Sequence, residues 1–361
     1  MNYKDIIEKQ MKNYLDTGDT DSLSEYAGRI SKGISDNFTL DKILNATVNG
    51  ESIFDNREII ENIKALFLYE IRSALVIAVE IITVCLFIGL LKNLSSSFGK
   101  SGINQIANLI CAVVIVGLTL TNFNDIYNLT LDSIKTITYT MEILLPVLIS
   151  LLIAMGRVTS GTVMSPLLMA VLTGFQSIIK NIVLPLLFAS TIFTLLNCLT
   201  EKDYVNQLSK FLRKASLFIC GLLISIITGI ITIQGIIVKS ADSLLLDTAK
   251  YSLDKFIPIV GGFASDTVEL FLRCMGSIKN VIGVFGIITI IILMLCPIIK
   301  IMAVAIVYKI IGILTEAIAP PKLSSGINEI GSALIAMAAI LFFSSLLFVL
   351  FITCIINLGG S

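Results

Sequence analysis

Hydrophobic and polar positions divide the chain into two regimes. In residues 1–73 they alternate with helical spacing: Tyr3, Ile6, Ile7, Met11, Tyr14 and Leu15 predict one short amphipathic helix. Ser22-Leu23-Ser24-Glu25 reads as a capping box, after which Leu23, Tyr26, Ala27, Ile30 and Ile34 line a second helix. Asn49-Gly50 marks a turn, and a third helix is expected from about Asp55 toward the first apolar run. Residues 1–73 are therefore expected to form a small helical extramembrane domain.

From Ala74 the pattern changes to long apolar runs with short polar breaks. About 20 apolar residues cross a bilayer. The runs at 74–91, 105–122, 139–156, 162–179, 182–199, 216–238, 280–298, 301–318 and 332–357 predict seven to nine spans. The pair meeting at Lys180-Asn181 reads as two tight spans or one re-entrant hairpin. The longest connection, 239–279, carries an amphipathic helix: Ala241, Leu244, Leu245, Ala249, Leu253 and Phe256 share one face, with Asp242, Asp247, Lys250 and Asp254 largely elsewhere. The expected fold is an all-α polytopic transmembrane bundle over 74–361.

Composition agrees with this. Apolar residues make up 55% of the 361 and charged residues 14%, against roughly 25% charged in a soluble domain; mean hydropathy is +0.92. The 26 basic and 26 acidic residues cancel, so nothing favours nucleic acid as a partner. Residues 1–73 hold 13 acidic and 9 basic residues, net −4, which leaves +4 for the rest. With the N-terminus outside, Lys92, Lys100, Arg157, Lys202, Lys210, Arg213, Lys214 and Lys300 fall on inner connections, and the short outer ones carry Lys135, Lys180 and Lys322. The basic residues of 239–279 also fall outside and weaken the contrast, but the balance favours an outer N-terminal domain. The first residues lack the apolar segment of a secretory signal, so the chain is a processed form or inserts through its first internal span.

Candidate chemistry is sparse. Without histidine the chain has no zinc-protease site, no Ser/His or Cys/His nucleophile system and no His-ligated haem. The seven cysteines form no CxxC pair. Gly99-Lys100-Ser101 ends like a phosphate-binding loop, but Leu94 stands where its first glycine belongs. No enzyme activity, cofactor or metal is expected, and any energy-driven role must borrow a separate ATPase or an ion gradient. Charges inside apolar spans are the exception: Glu80, Glu142, Lys309 and Glu316 are candidate pore or intramembrane polar residues. Lys309 and Glu316 lie seven residues apart, two turns along one face, as an ion pair or as transport sites. Pro146, Pro166, Pro185 and Pro297 fall within or beside spans, as kinks or as broken transport helices.

A family likeness emerges from the order of several short motifs. Lys255-Phe256-Ile257-Pro258-Ile259-Val260-Gly261, followed by Ser265-Asp266-Thr267-Val268, is similar to a run typical of the stage III sporulation protein AE family. Leu184-Pro185-Leu186-Leu187-Phe188, Leu212-Arg213, Lys279-Asn280 with Gly283 and Gly286, and Tyr308-Lys309 extend the resemblance over nearly the whole chain. It marks Pro185, Phe256, Pro258, Gly261, Asp266, Lys279 and Asn280 as motif residues of structural weight.

The resemblance implies a non-enzymatic membrane component of a secretion-like channel joining mother cell and forespore after engulfment. It places the chain in the mother-cell-derived outer forespore membrane, with the N-terminal domain in the intermembrane space. The implied partners are other stage III A-operon proteins, including a secretion-type ATPase, the forespore protein Q of stage II, and the lipid bilayer. Arg213 and Lys214 are candidate contacts for the ATPase side. The alternative is a permease-like transporter of small molecules toward the forespore, built around Glu80.

Overall fold

The computed structural model describes residues 56–98, 101–200, 205–256 and 261–358. The described residues form α1 (Asn56–Phe98), α2 (Ser101–Ala154), α3 (Val158–Ile178), α4 (Leu184–Leu199), α5 (Asn206–Phe256), α6 (Gly261–Glu316) and α7 (Pro321–Leu358). One π-helical turn, Ile179–Val183, joins α3 to α4 without a break. The expected helices and turn of residues 1–55 lie outside the described residues; α1 runs from Asn56 directly into its apolar stretch.

Among the described residues six helical stretches are long and apolar enough to cross a membrane: Ile63–Leu90, Ala112–Ala154, Val158–Leu199, Asn206–Leu244, Leu270–Glu316 and Pro321–Leu358. The nine apolar runs of the sequence fall on these six because three polar breaks do not interrupt the helix. In α2 the break at 123–138 keeps its helical repeat: Phe123, Ile126, Thr130, Ile134 and Ile137 are buried, while Asn124, Asp125, Asn128, Asp132 and Lys135 stand exposed. At Lys180-Asn181 there is neither a loop nor a hairpin. One extra residue is absorbed as a π-bulge, and Pro185, which cannot donate a ladder hydrogen bond, follows in the first turn of α4.

In the 239–279 stretch the expected helix through Ala241–Phe256 is present as the continuation of α5. No proline or paired glycines occur between 206 and 256, so α5 runs on to Phe256, and α6 begins at Gly261. The basic 200–214 segment is also mostly helix, because α5 starts at Asn206.

Sequence sets the two described turns. Gly156, at φ 75°, ends α2: Gly156 N–H donates to Ile153 O (2.9 Å) and Arg157 N–H to Leu152 O (3.1 Å), a Schellman closure that needs a left-handed residue. Between α6 and α7, Thr315 O accepts from Ile318 and Ala319, and Pro321 opens α7 where a missing N–H costs nothing.

α7 is the central helix, packed on α6, α2, α5 and α4. α1 lies against α6 and α2 on one side; α5 lies against α4, α7 and α3 on the other. In lipid, apolar burial does not drive helices together, so close fit must. Gly283 and Gly286 of α6 receive Ile352 and Ile356 of α7 and Leu144 of α2. At Gly312 a Cβ would come within 2.9 Å of the Asn328 side chain and 3.1 Å of its backbone. Phe175 meets Phe348 edge-on at 6.0 Å, and Phe188 packs on Phe123 and Tyr127.

Candidate functional site

Polar side chains gather in two layers at opposite ends of this apolar bundle. In the first, the start of α5 meets the start of α7. Arg213 donates from Nη1 to the Glu329 carbonyl (3.1 Å) and from Nη2 to the Glu329 carboxylate (2.5 Å), while Lys210 Nζ lies 3.5 Å from the other carboxylate oxygen. Arg213 and Glu329 are largely covered, so this charge-assisted bond, with its companion to the backbone carbonyl, is a strong one. Ser190 Oγ donates to Ser209 O at 2.6 Å, tying α4 to α5, and Ser324 Oγ donates to Gly312 O at 2.6 Å, tying α7 to α6. Lys309 Nζ donates to Ser332 Oγ at 2.6 Å, its stem lying along Gly331.

The second layer lies where α2 gives way to α3. Asp242 of α5 is fully buried, and its two carboxylate oxygens accept the Thr159 and Ser160 N–H groups, each at 2.9 Å. The first turn of α3 leaves such N–H groups unsatisfied and carries partial positive charge, so a carboxylate is the natural partner. Lys279 of α6, also fully buried, donates to Ile356 O at 2.7 Å and reaches Ile355 O at 3.5 Å, neutralising the carbonyl end of α7. Arg157 is buried beside Asp242's two donors and lies within electrostatic range of Lys279. Asp242 thus fastens α5 to the start of α3, and Lys279 fastens α6 to the end of α7.

The structure distributes the expected site residues differently. Glu80, Glu142 and Glu316 are exposed on α1, α2 and α6, and Lys309 is half-buried. No hydrogen bond or ion pair joins any two of these four among the described residues. Arg213 is turned into the bundle onto Glu329, whereas Lys214 faces outward. Of the motif residues, Lys279 is the buried anchor just described; Asn280 and Pro185 are exposed. Phe256 ends α5, Gly261 opens α6 and Asp266 lies in its first turns, while Pro258 falls outside the described residues.

Sequence reading missed Asp242 and Glu329 as anchors. Local spacing puts Asp242 on the polar side of an interfacial helix. A carboxylate three residues before the predicted span at 332–357 is the available signal for Glu329, since a charge there needs a partner.

Long apolar helices, glycine contacts between them and charged anchors only at the ends define the class: a polytopic α-helical integral membrane protein. Comparison with known proteins identifies the family. The model of stage III sporulation protein AE matches residues 38–359. The stage III sporulation protein AE of Bacillus subtilis (strain 168) is 26% identical over 313 residues, covering 87% of this chain and 78% of that protein. No solved structure matches the chain. The chain belongs to the stage III sporulation protein AE family, and its role is in sporulation.

Proposed function

We propose that the chain is a non-enzymatic membrane component of a secretion-like channel complex between mother cell and forespore, required after engulfment. The observation that carries this reading is the family match across 38–359, which includes all six helices able to span a membrane. A protein of that build supplies a membrane path or its frame, not a motor, and an ATPase of secretion type provides the energy. The chain sits in the outer forespore membrane, with its N-terminal domain in the intermembrane space. There it meets its A-operon partners and, directly or through them, the forespore protein Q of stage II. Lys214, exposed on α5, is the better placed of the two basic residues for any outside contact, because Arg213 is occupied by Glu329.

Solubilising membranes from sporangia before and after engulfment and capturing the tagged full-length chain tests the reading. The other A-operon proteins and the secretion-type ATPase are expected in the post-engulfment capture. A chain that purifies alone at both stages contradicts it.

A further inference from the structure

The two helices that the bundle covers least are α1 and α5, with 28% and 22% of their apolar windows buried against 44–56% for the others. They stand at opposite edges, separated by α6 and α7. Of the charged side chains exposed on these stretches, Lys64, Arg72 and Glu80 on α1 and Lys210 and Lys214 on α5, Glu80 is the one carboxylate, and Lys214 is the lysine that Glu329 does not hold.

Contacts across the bundle give their relative height. Glu80 lies within electrostatic range of Tyr308 of α6. The next residue, Lys309, donates to Ser332 of α7. Glu329, less than a turn earlier on α7, receives Arg213 of α5, and Lys214 follows directly. Glu80 and Lys214 therefore lie at a similar level, within the reach of the side chains that link α1, α6, α7 and α5. Gly89 approaching Ile318 fixes α1 parallel to the end of α6, so the level holds along the helix.

From this geometry we infer that copies of the chain associate edge to edge, α1 of one against α5 of the next, with Glu80 paired to Lys214. Identical chains insert in one orientation, so the two charges meet at matched depth in every copy. A two-fold contact of α1 with α1 would instead oppose two carboxylates. The α1–α5 contact is heterologous, so its repetition in the membrane plane builds a ring where the rotation between copies closes and an open row where it does not. The outer face of α5 suits close approach: Gly221, Ser225 and Gly229 are exposed at four-residue spacing, and a Cβ on either glycine would touch nothing within 4 Å. A carboxylate and an ammonium that each cost free energy against lipid satisfy one another at that seam.

The inference builds on the reading of the chain as a component of a membrane complex, and its test is separate from the sporulation phenotype. Glu80→Cys and Lys214→Cys are introduced singly and together into the full-length chain and treated in membranes with a short bifunctional thiol reagent. The untouched chain with its native cysteines serves as the blank. Chains carrying both cysteines should give a ladder of dimer, trimer and higher species. Two differently tagged single variants should stop at a mixed dimer, and either alone should stay monomeric. Dimers from Glu80→Cys alone, adducts that are not multiples of the chain, or monomers throughout overturn the proposal. As a second measure, Glu80→Lys and Lys214→Glu should each dissolve the oligomer on native gels, and the double exchange should restore it; no restoration also counts against the pairing. A missing ladder beside an intact sporulation defect removes the edge-to-edge association alone, while a ladder in a strain that sporulates normally without the chain removes the channel reading instead.

Discussion

Replacing Asp242 is the sharpest perturbation of the fold. Its carboxylate accepts two backbone N–H groups of α3, is fully buried, and lies in a corner with Arg157 and Lys279. Hydrogen bonds to a charged group are worth about 1.5–3 kcal/mol each, and burying a donor without a partner costs about 1–3 kcal/mol. Losing two such bonds and leaving both N–H groups buried without a partner costs about 3–5 kcal/mol. Asp242→Ala should fall in that range. Asp242→Asn, which keeps one acceptor oxygen but loses the charge, should cost about half as much. Denaturant titration of the purified chain in detergent, followed by helicity, reads the loss. Limited trypsin digestion supplies a local probe, because Arg157 is buried and resists cleavage until the α2–α3 corner opens. Both variants should unfold at lower denaturant, Ala more than Asn, with a new cut after Arg157. Wild-type unfolding and continued protection of Arg157 in Asp242→Ala would refute the anchoring role.

Three further outcomes follow from the packing. Glu329→Gln should destabilise by about 2–3 kcal/mol because Arg213 loses its charged partner, while Lys214→Gln should leave stability within about 0.5 kcal/mol, both by the same titration. Gly312→Val forces a side chain into the Asn328 backbone and should cost about 1–3 kcal/mol or block the α6–α7 hairpin, whereas Gly117→Ala, with nothing within 4 Å, should be silent in folded yield. Lys279→Met keeps the stem but abandons the α7 carbonyls; hydrogen exchange should show the last turn of α7 fraying while its middle stays protected.

Much of the fold is legible in the sequence, since apolar runs from Ala74 onward leave only helices as an option. Helix continuity is not. Hydropathy averages over all faces, so Asn124, Asp125, Asn128 and Asp132 read as a break although they form one exposed stripe on an unbroken α2. The same averaging hides that Lys180-Asn181 sits in a π-bulge. The anchors depend on neighbours far along the chain: Asp242 meets Thr159, and Arg213 meets Glu329, 116 residues away. Local spacing assigns a carboxylate to the polar side of a helix, and only tertiary contact turns that side inward. Glu80 shows the opposite case, for its position in the first apolar run is plain and its outward direction is not.

Deletion of the chain's gene in its spore-forming host, scored for forespore size and late forespore transcription after engulfment, bears most directly on the channel role. Normal vegetative growth with small, transcriptionally silent forespores is the expected result. Normal spores together with impaired uptake of a nutrient during growth would contradict it and identify a vegetative transporter instead.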